Sequence, residues 1–309
     1  MDSTSQAGYV AIVGRPNVGK STLLNRLTGE KISIVSRKAQ TTRHRITGIL
    51  SLDTTQFVFV DTPGFQTRFN NALNRTMNRG VRAAMNEVDI VIFVIEAGHF
   101  DARDRAVMDL LSPECPVILA INKMDHYKDR SKLMQFLAKM GEEGAAASNL
   151  PNGFSAIIPI CAASQKRPDR QLDDLLSATR KHLPRQDFIF PADEMTDRSE
   201  RFLASEYIRE KIFRLLGEEL PYAAAVEIEK FEQEGDLRRI FAAIVVDRDN
   251  HKSIIIGKNG QSLKRIASEA RRDMERLFGG TVYLEVWVRV KSGWQDNERL
   301  LKELGYDAE

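Results

Sequence analysis

The sequence predicts an α/β protein in two parts: a doubly wound, mostly parallel six-stranded sheet, followed by a smaller α+β domain. Three observations predict this. Apolar strand-like runs alternate with helical patterns from Tyr9 to His182, the order that builds a parallel sheet covered on both faces. The chain has 309 residues, more than one ordinary domain holds. A charged stretch without period, Pro184 to Asp197, carries two prolines and reads as a linker, and the order of elements changes beyond it. The expected domains are therefore a mobile N-terminus at 1–8, a first domain over 9–183, a linker over 184–197 and a second domain over 198–309.

The elements follow in order. Tyr9 to Val13 is an apolar strand, and Thr22 to Thr28 a helix. Ile32 to Ser36 leads into a polar segment, Arg37 to Arg45, which has no period and reads as an exposed loop. Ile46 to Leu52 and Phe57 to Val60 are rich in β-branched and aromatic residues and form an antiparallel hairpin about the short polar stretch Asp53 to Thr55. Asn70 to Asn86 is a helix with Leu73, Met77, Val81 and Met85 at four-residue spacing. Val88 to Ile95 and Val117 to Ile121 are near-continuous apolar runs, as expected for strands buried on both faces. Helices fall at Asp101 to Leu111, Ser131 to Glu143 and Leu172 to His182, a loose segment at Gly141 to Gly153, and the last strand at Ile157 to Ile160. In the second part, Ser199 to Leu216 is a helix, and Ala223 to Phe231 and Ile240 to Val246 are strands about the turn Glu234 to Asp236. Ser253 to Ile256 is a short apolar run. Gln261 to Phe278 is a long helix with a basic face, Thr281 to Val290 an alternating strand and Asp296 to Leu304 a closing helix.

Composition narrows the function classes. At 42% hydrophobic and 28% charged the chain can build cores, and its formal net charge of +2 means that any surface for a polyanion must be local. Cys115 and Cys161 have no metal-ligand spacing and read as reduced thiols of a cytosolic protein. Met1 to Gly8 lacks the basic and apolar blocks of a signal peptide, and the longest apolar run, Ile90 to Ile95, is too short to cross a bilayer.

The chemistry concentrates in five segments. Gly14-Arg15-Pro16-Asn17-Val18-Gly19-Lys20-Ser21 lies between a strand and a helix that opens at Thr22. Glycines there let backbone N–H groups turn inward, and the helix N-terminus adds partial positive charge, so the loop suits phosphate. Lys20 reaches the β and γ phosphates, and Ser21 can ligate Mg²⁺. Asp61-Thr62-Pro63-Gly64 ends a strand, where an acid can hold Mg²⁺ directly or through water and the Gly64 N–H can meet a γ-phosphate. Asn122-Lys123-Met124-Asp125 follows another strand. The Asp125 carboxylate can accept from guanine N1–H and N2 together, a pair of donors that adenine lacks. Cys161, Ala162 and Ala163 follow the last strand and can offer a backbone N–H to guanine O6. In the polar loop, Thr42 is the residue expected to complete the Mg²⁺ shell when a γ-phosphate is present, with Thr41 as the alternative.

In this order, the segments from Tyr9 to about His182 resemble the translation-factor-like class of P-loop GTPases. Phe65 follows Gly64, so no side-chain amide stands there to orient water. The resemblance implies that Asn17 coordinates K⁺ against the β–γ bridge; Asn17 also simply suits a tight turn, and the residues alone leave both open. In the second part, Ile256-Gly257-Lys258-Asn259-Gly260 precedes a helix bearing Lys264 and Arg265. With the Ile run before it and the strand after, it resembles a KH domain of the bacterial type (type II), whose glycine turn lets an RNA backbone approach while a groove reads about four bases. A GTPase domain followed by one KH domain resembles the Era family of bacterial ribosome-assembly GTPases across nearly the whole chain. The resemblance implies a monomeric, cytoplasmic GTP-hydrolysing switch that uses Mg²⁺. It also implies binding to the 3′ region of 16S rRNA, action on the 30S subunit, and some peripheral association with the inner membrane face. The alternatives are an RNA-binding module that uses GTP as a structural ligand, or a membrane-linked cell-cycle regulator. Two features depart from the family pattern: Cys161 stands where serine is usual, and Phe65 to Phe69 is not the usual basic stretch.

Overall fold

The structure is a computed structural model that describes residues 5–36, 38, 41–65, 72–127, 129–164, 169–217 and 220–306. Residues 37, 39 and 40 of the polar loop, and 66–69 of the segment after Gly64, lie outside the described residues. The chain divides into two compact units. One takes in most of the described residues up to Asp197; the other takes in Arg198 onward with the described residues of Ile34–Thr41 and Arg68–Thr76.

The first unit carries a sheet of six strands: β1 (Gln6–Val13), β2 (Ile46–Leu52), β3 (Thr55–Asp61), β4 (Ile90–Glu96), β5 (Val117–Asn122) and β6 (Ala156–Pro159). Their order is β2-β3-β1-β4-β5-β6, with β2 antiparallel to β3 and every other pairing parallel. The expected doubly wound sheet is thus present. The apolar runs Val10–Val13 of β1, Ile90–Ile95 of β4 and Val117–Ile121 of β5 are buried, because helices cover both faces of a parallel sheet. The helices are α1 (Lys20–Thr28), α2 (Ala72–Asn86), which belongs to this unit from Met77 onward, α3 (Ala102–Met108), α4 (Arg130–Ala146) and α5 (Arg170–Arg180). A parallel sheet sends the carboxyl ends of its strands to one edge, where the crevice of such folds lies. Gly14 follows β1 there, Asp61 ends β3, Glu96 ends β4, Asn122 ends β5, and Cys161 comes just after β6.

One local reading is corrected. Helix α4 continues to Ala146, through Gly141 and Gly144, where the glycines predict a loose segment. The Phe154 ring packs so closely on Gly144 that a Cβ would sit 2.5 Å from it; the absent side chain is what lets the helix dock. The apolar run at Ser253 to Ile256 belongs to helix α7 (Asp249–Ile256), which turns Ile255 into the core.

Residues 184–197 run along the first unit's sheet. The buried Gln56 accepts from the Ile189 and Phe190 N–H groups at 2.8 and 2.9 Å and donates to Phe190 O at 2.8 Å. Further along, Ile49 N–H donates to Met195 O at 2.8 Å, and Thr196 Oγ1 to Thr47 O at 2.6 Å. One buried amide side chain thus satisfies backbone groups that a loop would otherwise leave to water.

The second unit holds α6 (Glu200–Leu215), β7 (Ala224–Glu234), β8 (Leu237–Val246), α7, α8 (Gln261–Phe278), β9 (Thr281–Val290) and α9 (Glu298–Glu303). Its sheet has the order β7-β8-β9; β7 and β8 pair antiparallel, β8 and β9 parallel. A parallel neighbour requires a crossover, and the α7–turn–α8 segment is that crossover. Helices α6 and α8 pack on the sheet through Leu203, Ile208, Ile212, Ile266 and Met274 against Ile240, Ile244 and Val288. Ser199 caps α6 by accepting from Phe202 N–H at 3.3 Å. Inside this unit, Lys38 Nζ donates to Leu216 O at the end of α6, where a cation is favoured by the helix dipole.

Candidate functional site

The phosphate loop folds over 14–19 because its residues reach conformations that other side chains avoid. Asn17 turns with φ 67° and is exposed. Gly64, brought up by the end of β3, lies against the loop; a Cβ there would sit 2.8 Å from Pro16 Cγ, so only glycine permits this approach. Thr62 beside it is buried and donates to Ile12 O at 3.0 Å, which pins the 61–64 segment to β1, and Pro63 is buried too. Lys20 and Ser21 begin α1, followed by Thr22. Lys20 is buried, with Nζ 3.2 Å from the Arg15 carbonyl oxygen. Burial pulls its pKa down to about 8, against the raising effect of Asp61 and together with the lowering effect of Arg15.

Asp61 is fully buried. Ser21 Oγ donates to its Oδ2 at 2.7 Å, Ser33 Oγ at 3.0 Å and Thr42 Oγ1 at 3.4 Å. Ser21 Oγ and Thr42 Oγ1 are themselves 2.7 Å apart. Thr41 is turned elsewhere; its Oγ1 donates to Lys38 O at 2.8 Å. Burial pushes the Asp61 carboxyl up, while Lys20 and the three hydroxyls pull it down. The other carboxylate oxygen, Oδ1, is buried with no hydrogen-bond partner among the described residues. An orphaned carboxylate oxygen beside two hydroxyls is a hard-oxygen set of the kind Mg²⁺ selects. The residues present therefore fit that ion.

The guanine segments are joined to the phosphate loop by side chains. Asn122 Nδ2 donates to Val18 O at 2.7 Å, and its Oδ1 accepts from Ala162 N–H at 2.9 Å. Lys123 Nζ donates to Glu96 Oε2 at 2.9 Å, and Arg15 Nη2 to the same atom at 3.4 Å. Burial works to raise Glu96, but Lys123 and Arg15 hold it below the usual carboxylate range. Arg15 is held a second time by the buried Asp104 at 3.1 Å. Asp125 is about half exposed, and the Cys161 thiol donates to its Oδ1 at 3.1 Å. That hydrogen bond holds the Asp125 carboxyl below its ordinary value, whereas burial first and Asp125 second push the thiol up. The Cys161 N–H donates to Gln171 Oε1 at 3.0 Å, so two of the three N–H groups proposed for guanine O6 have protein acceptors, and exposed Ala163 supplies the third.

In the second unit the segment Gly257–Gly260 makes a tight turn between α7 and α8. Gly257, Asn259 and Gly260 all have positive φ, of 70°, 51° and 73°. Ile256 is half-buried, packed against the core, while Lys258, Asn259, Lys264 and Arg265 are exposed. The basic face of α8 is partly self-neutralised: Arg265 pairs with Glu269, Arg271 with Glu275 and Arg276 with Asp273. Among the described residues, Lys258, Lys264 and Arg272 have no ion pair, which leaves positive charge beside the turn.

Comparison with known proteins agrees with both halves. Residues 9–123 match a family model described as a 50S ribosome-binding GTPase, and residues 219–295 match a KH domain. The chain is 54% identical to GTPase Era of Nitrosomonas eutropha over 98% of each chain, and 51% identical to GTPase Era of Chromobacterium violaceum over 99% of each. The chain belongs to the Era family of GTPases. Two solved Era structures superpose with a TM-score of 0.90 at 37% identity, each covering 98% of this chain and 99% of the other. One is an Aquifex aeolicus Era variant bound to GDP and aluminium fluoride; the other is Era in complex with MgGDPNP and nucleotides 1506–1542 of 16S ribosomal RNA. This Era-family GTPase therefore combines a doubly wound nucleotide-binding domain with a smaller KH domain, and Mg²⁺ accompanies the nucleotide in a relative. No helix among the described residues is long and apolar enough to cross a membrane.

Sequence reasoning placed the phosphate loop, Asp61 and the guanine motif but did not single out Ser33, Asn25, Glu96 or Asp104. The depressed Lys20 pKa leads to a prediction. Burial disfavours the ammonium in the free protein, and phosphate oxygens favour it. Binding of GDP in EDTA should therefore take up protons at mildly alkaline pH. Calorimetry in buffers of different ionisation enthalpy measures this, and Lys20→Gln should abolish the uptake.

Proposed function

We propose that this chain is a GTP-hydrolysing switch that binds the 3′ region of 16S rRNA through its KH domain and acts in maturation of the small (30S) ribosomal subunit. The observation that carries the proposal is full-length similarity to an Era captured with both MgGDPNP and a 16S rRNA fragment. Support from this chain's own residues is the positive-φ turn Gly257–Gly260, with exposed Lys258 within it and exposed Lys264 after it.

The chemistry follows from the placements. Backbone N–H groups of the loop and the Lys20 ammonium bind the β and γ phosphates and stabilise charge that builds on them as water attacks phosphorus. Ser21, Asp61 and Thr42 would hold Mg²⁺, which supplies positive charge against the phosphate oxygens. Gly64 N–H donates to the γ-phosphate, and Thr62 keeps it in place from β1. Asp125 selects guanine, Lys123 stands beside it paired with Glu96, and the Ala163 N–H donates to O6. Phe65 offers no amide to orient the water, so intrinsic turnover is slow. Thr42 already stands beside Ser21 and Asp61; in this proposal it would ligate Mg²⁺ while a third phosphate is present and leave the ion after hydrolysis.

Asn17, exposed in the loop, would be the residue that holds K⁺ in this proposal, and the ion would supply positive charge to the phosphates. GTP turnover should be several-fold faster in K⁺ than in Na⁺ at equal ionic strength. Equal rates would leave Asn17 only its part in the turn.

The RNA assignment is tested by Gly257→Asp with Gly260→Asp, which places carboxylates where a phosphodiester would lie. Filter binding to a 3′ 16S rRNA fragment should weaken at least tenfold, while GTP turnover stays within twofold of wild type. Undiminished RNA affinity would place the RNA surface elsewhere.

A further inference from the structure

Ser33 has no part in the motif chemistry, yet its side chain is 0% exposed and its hydroxyl is aimed at Asp61. A buried hydroxyl needs a partner, and this one donates to Asp61 Oδ2 at 3.0 Å. Its backbone is held from both sides by one residue of α1. Asn25 Nδ2 donates to Ser33 O at 2.6 Å, and Asn25 Oδ1 accepts from Ser33 N–H at 2.8 Å and from Ile32 N–H at 3.0 Å. The helix that begins with Lys20 and Ser21 thus also fixes, through Asn25, where the Ser33 hydroxyl stands.

Three hydroxyls converge on Oδ2, and they are not equivalent. Ser21 and Thr42 touch each other as well as Asp61, and their oxygens are the ones a cation would take. Among the described residues Ser33 has no hydrogen bond to either of those hydroxyls, and its O–H donates to Asp61. The other carboxylate oxygen, Oδ1, is buried and without a partner among the described residues. A carboxylate with a fixed donor on one oxygen has its plane and rotamer set, and its second oxygen then points in one direction. We infer that Ser33 is a positioning residue of the metal site: held by Asn25, it turns Asp61 so that Oδ1 faces Mg²⁺ or a water bound to it. The inference rests on the reading of Asp61 as the metal-site carboxylate.

Such donors to ligating groups commonly alter metal affinity by about 10–100-fold. The test uses the full chain with GDP and Mn²⁺ as the probe, with free and bound metal read by electron paramagnetic resonance. Ser33→Ala should raise the Mn²⁺ dissociation constant about tenfold, with GDP affinity in EDTA unchanged within twofold. Ser33→Cys, close in size and a weaker donor, should fall between alanine and serine. A merely structural serine would move the metal-free GDP affinity along with the metal affinity, and that outcome overturns the inference. Equal Mn²⁺ affinities in wild type, Ser33→Ala and Ser33→Cys overturn it too. Asp61→Ala separates the two levels. If it weakens Mn²⁺ binding and Ser33→Ala does not, only the role of Ser33 fails; if Asp61→Ala leaves Mn²⁺ binding unchanged, the reading of the metal site fails with it.

Discussion

A carboxylate taken out of water is unfavourable unless something compensates its charge, and Asp61 is buried completely. Its compensation comes from the start of α1 through Ser21, from the segment after α1 through Ser33, and from the polar loop through Thr42. Lys20 adds opposite charge nearby. Three stretches of chain that share no regular structure are thereby referred to a single group at the end of β3. The arrangement is self-consistent without a cation but incomplete, since Oδ1 has no partner among the described residues. A divalent ion would complete it, and a third phosphate would complete the ion. That ordering of needs is what the proposed switch would use.

The rest of the nucleotide site is organised so that its parts cannot move independently. Asn122 links the carbonyl of Val18 to the N–H of Ala162, so the phosphate loop and the guanine loop share one side chain. Glu96 joins Arg15 to Lys123 in the same sense with charge. Each of these groups sits at the carboxyl end of a parallel strand, where the fold brings loops together without distorting the sheet. Pre-setting the loops in this way lowers what ordering them would cost when nucleotide binds.

The parts legible in the sequence were those whose chemistry is local. A phosphate loop needs glycines, a lysine and a hydroxyl within eight consecutive residues, and the Asn-Lys-x-Asp stretch needs only the end of one strand. Buried parallel strands announce themselves as apolar runs because both their faces are covered. Ser33 was not legible, because its meaning depends on Asn25 before it and on Asp61 well after it. Nothing in a serine within Ile32 to Ser36 has a period. The course of 184–197 was hidden for the same reason: prolines and charges read as linker, and the decisive partner, Gln56, lies far back in the chain. Helix α4 outran its expected end because Phe154, not local propensity, decides whether Gly144 is helical.

The KH unit adds a second kind of recognition to the first. Its positive-φ turn carries Lys258 and is followed by a helix on which Lys264 has no ion pair among the described residues, while Arg265, Arg271 and Arg276 are already paired. The measurement that bears most directly on the account is the dissociation constant for a 3′ 16S rRNA fragment, taken on the same protein loaded with GDP and with Mg²⁺ and a non-hydrolysable GTP analogue at one salt concentration. The account predicts tighter binding in the triphosphate state, by about 5-fold or more. Identical constants in the two states would contradict it.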